Sequence, residues 1–412
     1  MGSGSTSGNS NPVNLLREEI ALPAAVIHRA RLDHNIAWMQ QFADAHGVQL
    51  APHGKTTMTP AIFHRQVAAG AWGLTLATPA QARVAAEAGA TRVLMANQLV
   101  GQQNFADVSK LLQEFPTLEF FCLVDSLENI QQLGQFFSTH EQSLSVLLEY
   151  GVAGGRTGCR GGDDARQLCD AIKRWPSLKL AGVETYEGLI HGPGADGEST
   201  ETRVHQHLES VRDLCVSLIQ ENRFDTEQVI LSGAGSAWYD LVCDIFTDHD
   251  EPRILPVIRP GCYVTHDGGI YQQAQAAVMA RLHQSRHSDC CPAGDLQSCL
   301  EVWAYVQSVP EPGLAILAFG KRDAAYDAGL PVPQTHFRPG RDQSPQSVPA
   351  EWELTAIMDQ HAMLRVPPNA DIKVGDILAL GTSHPCLTFD KWRQILLIDD
   401  AFNVVETAET FF

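Results

Sequence analysis

Between residues 48 and 259 the chain repeats one unit, a short apolar run followed by a longer stretch of helical periodicity. Few folds accommodate this pattern, because parallel strands covered on both faces need near-continuous apolar runs and each must reach the next through a crossover helix. Eight such runs can be read, at 48–52, 72–77, 92–96, 118–124, 144–149, 179–185, 228–232 and 255–259. Thr59-Pro60 and Thr78-Pro79 mark helix starts, a hydroxyl cap followed by proline at the first position, and Gly70 and Gly89 mark helix ends. Eight strand–helix units predict a closed (β/α)8 barrel, with a doubly wound open sheet as the competing arrangement. In a barrel, chemistry is built at the C-terminal ends of the strands.

Past about residue 260 the helical periodicity fades and β-rich runs separated by Pro and Gly take over, at 276–282, 301–309, 314–319, 352–357, 377–380, 394–398 and 402–405. The sequence therefore divides into a flexible Gly/Ser/Asn-rich arm at 1–21, a barrel at 22–265 and a mostly antiparallel β domain at 266–412. Its 48 acidic and 29 basic residues leave a net charge of −19, which excludes a bulk footprint for nucleic acid or an anionic membrane. An anionic ligand must be held locally. Ten cysteines without the spacing of a disulfide scaffold, no apolar run near the roughly 20 residues of a membrane span and no signal-peptide pattern point to a soluble, cytoplasmic protein.

Four segments carry chemistry. Lys55, in Pro52-His53-Gly54-Lys55-Thr56, follows the first barrel strand. An amine there, its pKa lowered from about 10.4 by burial or nearby cations, can attack a carbonyl; a surface lysine in a tight turn is the plain alternative. Gly233-Ala234-Gly235-Ser236 follows the seventh strand, where small residues let backbone amides close on a phosphate, though a glycine-rich loop can also be a simple turn. Arg156, on the glycine-rich loop after strand five, offers a planar cation, and Tyr186 and His191 follow strand six. His384 and Cys386 stand two apart in the β domain. On an extended strand they would face one way and meet at one cation, zinc by the softness of the donors, with positions left for water or substrate. A metal-free histidine and buried cysteine are the alternative. A rival donor set, His283, His287, Cys290, Cys291 and Cys299, has irregular spacing and a polar, loop-like setting.

Together these segments resemble the D-serine dehydratase and D-threonine aldolase group of pyridoxal-phosphate enzymes, which share the alanine-racemase-like fold (fold type III). The resemblance spans about 22–405 and runs in order through Pro52-His53-Gly54-Lys55-Thr56, Arg156-Thr157-Gly158, Tyr186-Glu187-Gly188 with His191, Ser232-Gly233-Ala234-Gly235-Ser236, Arg259-Pro260-Gly261-Cys262-Tyr263, Asp267, Ala328-Gly329-Leu330-Pro331, Asp359-Gln360-His361 and His384-Pro385-Cys386. It implies that Lys55 holds pyridoxal 5'-phosphate as a Schiff base and that Gly233, Ala234, Gly235 and Ser236 cup its phosphate. Arg156 would lie against the ring hydroxyl, and Tyr186, His191 and Gln81 would contact cofactor or substrate. His384 and Cys386 would bind Zn2+ ahead of Mn2+ and act with Lys55 in catalysis.

The resemblance further implies a homodimeric lyase for a small D-amino acid. The aldolase branch carries an aspartate where this chain has Cys386. Animal and fungal dehydratases carry Glu-His-Gly near the position of Asp359-Gln360-His361-Ala362, whereas bacterial members with the Asp-Gln-His form are broader D-amino-acid deaminases or D-3-hydroxyaspartate dehydratases. The activity so implied is β-elimination from D-serine or a related D-3-hydroxy amino acid to a 2-keto acid and ammonia. Retro-aldol cleavage to glycine and an aldehyde is the alternative, and a non-catalytic carrier of pyridoxal phosphate is a third reading, against which the metal pair and β domain weigh.

Overall fold

The computed structural model describes residues 12–194, 196–284 and 291–412, which divide into two compact units. Numbering strands along the chain, β1 (Ala24–His28) belongs to the smaller unit. The larger unit holds β2 (Gln49–Leu50), β3 (Leu74–Leu76), β4 (Arg92–Gln98), β5 (Glu119–Val124), β6 (Leu144–Glu149), β7 (Leu178–Glu184), β8 (Val229–Gly233) and β9 (Ile254–Ile258). All eight expected strands are present, each pairing in parallel in the order β2-β9-β8-β7-β6-β5-β4-β3. The two ends of that order join through the amide of Trp72 on the Leu50 carbonyl (2.8 Å) and of Thr75 on the Pro52 carbonyl (2.9 Å), so the sheet closes into a barrel. Small and large side chains alternate in its filled interior, among them Ala51, Leu94, Phe121, Leu147, Ala181 and Ile230.

Local signals set the crossover helices. Pro79 opens the helix Pro79–Glu87 behind Thr78, whose hydroxyl accepts the Gln81 amide at 3.3 Å. Pro60 opens the helix Pro60–Ala68, but Thr59 makes no cap there; its hydroxyl donates to the Thr57 carbonyl at 2.7 Å. Gly70 and Gly89 end these helices at φ +117° and +84°, a left-handed turn that only glycine adopts without steric cost.

The smaller unit is a sheet built from β1, β10 (Leu300–Glu311), β11 (Leu314–Leu317), β12 (Val332–Phe337), β13 (Gln346–Ser347), β14 (Glu353–Ile357), β15 (Ala362–Arg365), β16 (Ile377–Gly381), β17 (Gln394–Ile398) and β18 (Val404–Glu409). Its main order is β13-β12-β16-β10-β1-β17-β18, with β11, β15 and β14 branching from β10. All of its pairings are antiparallel except β1 with β17.

Three sequence boundaries change. β1, placed with the barrel by a boundary at residue 22, instead sits between β10 and β17. The arm at 1–21 is docked over part of its length, with Leu15 buried and Asn14 bridging to Asn403, while residues 1–11 lie outside the described residues. The run at 276–282 is not a strand; it belongs to the helix Ile270–Leu282, which falls in the barrel unit. Among the described residues no helix is long and apolar enough to cross a membrane and no disulfide joins the cysteines.

One buried charge in the smaller unit supports a pH prediction. Asp376 is 1% exposed and accepts from His336 Nε2 (2.7 Å), Arg338 Nε (2.7 Å) and Nη2 (2.9 Å), and the Lys373 amide (2.9 Å). Burial alone would raise its pKa, but the Arg338 and His336 bonds outweigh burial and hold it below the ordinary aspartate value. A depressed carboxylate pKa contributes stability above the unfolded value, near 3.9, and that contribution is lost as pH falls through the folded value. Asp376→Asn is expected to cost about 2 kcal/mol in urea unfolding at neutral pH, by weakening the charge-assisted hydrogen bonds of a buried carboxylate, while Arg338 keeps Asp371 as a partner. It should also flatten the loss of stability below about pH 4 relative to wild type.

Candidate active site

In the barrel unit, charged residues gather at the C-terminal ends of strands whose bodies are apolar. Lys55 is exposed on the turn Gly54–Thr56 that follows β2. Burial first, and then the Lys55, Arg259 and Arg156 cations, hold the His53 imidazole far below its ordinary pKa, and its Nδ1 is buried without a hydrogen-bond partner among the described residues. The imidazole beside the lysine is thus neutral at physiological pH.

At the end of β7, Glu184 meets Arg259, the residue after β9. The Arg259 Nη2 donates to Glu184 Oε1 and to the Thr185 carbonyl (3.0 Å), and its Nε donates to Ser232 Oγ (2.8 Å). Both side chains are buried, and Glu184 Oε2 has no partner among the described residues. Burial pushes the Glu184 carboxyl up to about 7 despite the opposing charge of Arg259. At the end of β6, buried Glu149 accepts from Gln98 Nε2 and from Thr157 Oγ1 (2.7 Å), which ties the 151–158 loop to the barrel rim.

The loop residues named from the sequence divide. Arg156 and Tyr186 come together, the guanidinium carbon lying 5.4 Å from the centre of the tyrosine ring. Tyr186 in turn lies against Gly235, where a Cβ would come within 2.8 Å of the ring. Gln81 instead accepts the Ala77 amide at 2.9 Å, closing the first turn of its helix, and His191 is exposed with its carbonyl accepting from Arg203 (3.2 Å). A cavity of about 480 Å³ in the barrel unit is lined by Thr78, Asn97, Gln98, Asp125 and Thr157 among others.

The glycine-rich loop presents amides in two directions. Those of Ala234 and Gly235 donate to the two oxygens of Glu187, at 3.0 and 2.9 Å. Those of Gly261 and Cys262, in the loop after β9, both approach Ser236 Oγ, at 3.3 and 3.2 Å. Backbone donors from the loops after the last two barrel strands are the arrangement that holds phosphate in this fold class. Glu187, Gly261 and Cys262 were absent from the sequence-derived site. Arg259-Pro260-Gly261-Cys262 directly after the last strand was the available signal for the latter two, and Tyr186-Glu187-Gly188 for the first.

In the smaller unit, His384 and Cys386 are not on an extended strand, as alternation would require. Pro385 is helical (φ −58°, ψ −46°) and Cys386 opens the short helix Cys386–Phe389, because the proline ring sets φ near its helical value. The two side chains still meet: a hydrogen bond from the imidazole to Cys386, followed by the one its Nδ1 makes to Asp327 Oδ2 (2.8 Å), raises the His384 pKa to about 9. Imidazole and sulfur within hydrogen-bond range fit a thiophilic divalent cation. Among the described residues no group of three or more such donors that could hold a metal is found. Of the rival donors, His287 and Cys290 lie outside the described residues, and Cys299 is buried in the sheet with its thiol pushed up by burial.

For pyridoxal phosphate the donor chemistry also fits. The amides and hydroxyl at 236, 261 and 262 suit a phosphate, the Arg156–Tyr186 stack suits an aromatic ring bearing an oxygen, and Glu184 Oε2 and His53 Nδ1 are buried acceptors that no described protein group satisfies.

Comparison with known proteins agrees. Residues 27–265 match the family model described as alanine racemase, N-terminal domain, and residues 299–398 that described as putative serine dehydratase domain. The chain is 35% identical over 376 residues to D-threo-3-hydroxyaspartate dehydratase of Delftia sp. (strain HT23), covering 89% of this chain and 91% of that protein. It is 26% identical over 381 residues to D-threonine aldolase of Arthrobacter sp., covering 92% and 89%. A solved cysteine-to-alanine variant of D-threo-3-hydroxyaspartate dehydratase in the metal-free form superimposes with a TM-score of 0.73 at 23% identity, covering 97% of this chain and 99% of that one.

Proposed function

This chain belongs to the alanine racemase N-terminal domain family, with a serine-dehydratase-type domain following, and on that footing we propose that it is a pyridoxal-phosphate- and zinc-dependent lyase. It would convert a D-3-hydroxy amino acid to a 2-keto acid and ammonia. D-threo-3-hydroxyaspartate is the first candidate substrate, since the dehydratase named for it is the 35% identical relative, and D-serine is the second. The observation that carries elimination is the bonded His384–Cys386 pair, a soft donor set that favours zinc.

The division of labour follows from the chemistry of each group. Lys55, on the turn after β2, would carry the cofactor and then hold the α-proton on Nζ. Neutral His53 beside it adds no positive charge of its own to the surroundings of the amine. Ser236, Gly261 and Cys262 would hold the phosphate, and Arg156 over Tyr186 would meet the ring oxygen. Arg259 and Glu184 would set the charge of the pocket from beneath. His384 and Cys386 would hold the metal. When bound, pyridoxal phosphate supplies an electron sink for the pair left by the departing α-proton, and zinc supplies Lewis acidity to the leaving hydroxyl. Loss of water leaves an enamine, which tautomerises to an imine; addition of water to the imine releases ammonia and the keto acid. Family analogy alone supports a cytoplasmic homodimer.

Retro-aldol cleavage is the second reading, favoured by the 26% identity to a D-threonine aldolase over nearly the whole chain. Incubation with D-threo-3-hydroxyaspartate, D-serine and D-threonine separates the two. Elimination is expected to release oxaloacetate and ammonia from the first in equal amounts. Glycine plus an aldehyde as the main products would replace elimination by cleavage.

A further inference from the structure

We propose that Glu187 is a positioning residue for the phosphate loop, its carboxylate fixing the 233–236 turn in the shape that receives the cofactor's phosphate. The inference rests on the cofactor reading above and adds a residue to it. Ala234 stands at φ +73°, a left-handed conformation that a residue with a Cβ seldom adopts and that persists only where its surroundings impose it. That conformation turns two successive amides, of Ala234 and Gly235, toward one point, a concavity that selects an anion. The anion present is the protein's own. Glu187 is fully buried and gives one oxygen to each amide, at 3.0 and 2.9 Å.

Its neighbours lock the arrangement. Tyr186 packs where a Cβ on Gly235 would come within 2.8 Å and one on Gly188 within 2.6 Å, so residues 186–188 and 233–235 interlock through missing side chains. With those amides satisfied from below, Ser236 and the amides of Gly261 and Cys262 are left to the ligand side, and their bonds of 3.2–3.3 Å to a neutral hydroxyl are readily exchanged for a phosphate oxygen. A carboxylate close to a phosphate would ordinarily repel it; here burial pushes the Glu187 carboxyl above its ordinary pKa, which weakens its charge, while the amide bonds and the buried Arg259 cation act the other way and partly offset that charge.

The rival role for the same contacts is a plug, in which Glu187 occupies the place of the phosphate and must leave. The two roles predict opposite signs. Cofactor-stripped wild type, Glu187→Gln and Glu187→Ala are titrated by absorbance with pyridoxal phosphate and with pyridoxal, which lacks the phosphate, and each variant's fold is checked by circular dichroism. The expected result is that Glu187→Ala lowers the preference for pyridoxal phosphate over pyridoxal by about tenfold, the worth of roughly one hydrogen bond to a charged group, while pyridoxal binding is unchanged. Glu187→Gln, isosteric but able to serve only one of the two amides, should fall between, and it carries the test if the alanine variant does not fold. An unchanged or increased preference, or an equal loss for both ligands, would overturn the proposal. A wild type that binds neither ligand would overturn the cofactor reading itself, and this inference with it.

Discussion

Lys55→Ala is expected to lose at least about 10³-fold in kcat on any substrate the wild type turns over, because one side chain provides both the covalent hold on the cofactor and the base for the α-proton. The loss should not be a folding defect. Lys55 is exposed on a three-residue turn, and neighbouring Gly54 and Thr56 carry the burial. Pyridoxal phosphate should therefore still bind through its phosphate, more weakly and without a covalent link. Borohydride treatment followed by mass spectrometry should label wild type at residue 55 and leave the variant unlabelled. A variant that kept more than about one-tenth of wild-type turnover would remove Lys55 from the reaction.

Cys386→Ala should lower kcat about 10²-fold or more and abolish stoichiometric zinc, measured by metal analysis and by competition with a chromogenic chelator. The argument is one of donor count: if His384 and Cys386 hold the metal as proposed, removing the sulfur takes away one of its two named donors and leaves the imidazole. Cys386→Asp replaces a soft donor by a hard one and should move metal preference from zinc toward manganese. Exhaustive chelation of wild type ought to reproduce the alanine variant, with recovery on adding zinc. If chelated enzyme ran at full rate, the metal would have no part in the reaction and the elimination scheme would lose its Lewis acid.

The barrel was legible because each of its strands is a buried apolar run bounded by turn residues, and burial on two faces leaves an unambiguous pattern. Lys55, Arg156, Tyr186 and the 233–236 loop were legible for a related reason, as polar or glycine-rich interruptions at the ends of those runs. What escaped is what depends on partners distant in sequence. β1 reads as any short apolar run, and its neighbours begin at residues 300 and 394. The helix Ile270–Leu282 spreads its alanines and glutamines around the axis without a one-sided stripe, so it offered no helical period. Arg259 and Glu184 form a pair only because the barrel brings the ends of β7 and β9 within reach across β8, and Glu187 was visible as part of Tyr186-Glu187-Gly188 without its amide partners being readable. The His384–Cys386 pair was found by a two-residue spacing rule whose geometric premise does not hold, since Pro385 is helical.

The position of β1 governs how this protein can be made. Val26 leaves the ribosome long before its partners, since its parallel partner is Leu396 and its antiparallel partner Glu301. The barrel is encoded wholly between these, so it can be completed during synthesis while the smaller unit waits. At roughly 5–20 residues per second of elongation the wait lasts tens of seconds. Until β10 has been made, the segment Ala-Ala-Val-Ile-His, wholly buried in the finished sheet, has neither of its hydrogen-bonding edges paired, and the edge that meets β17 waits longer. Until residue 396 has been made, the sheet that buries this strand cannot be completed.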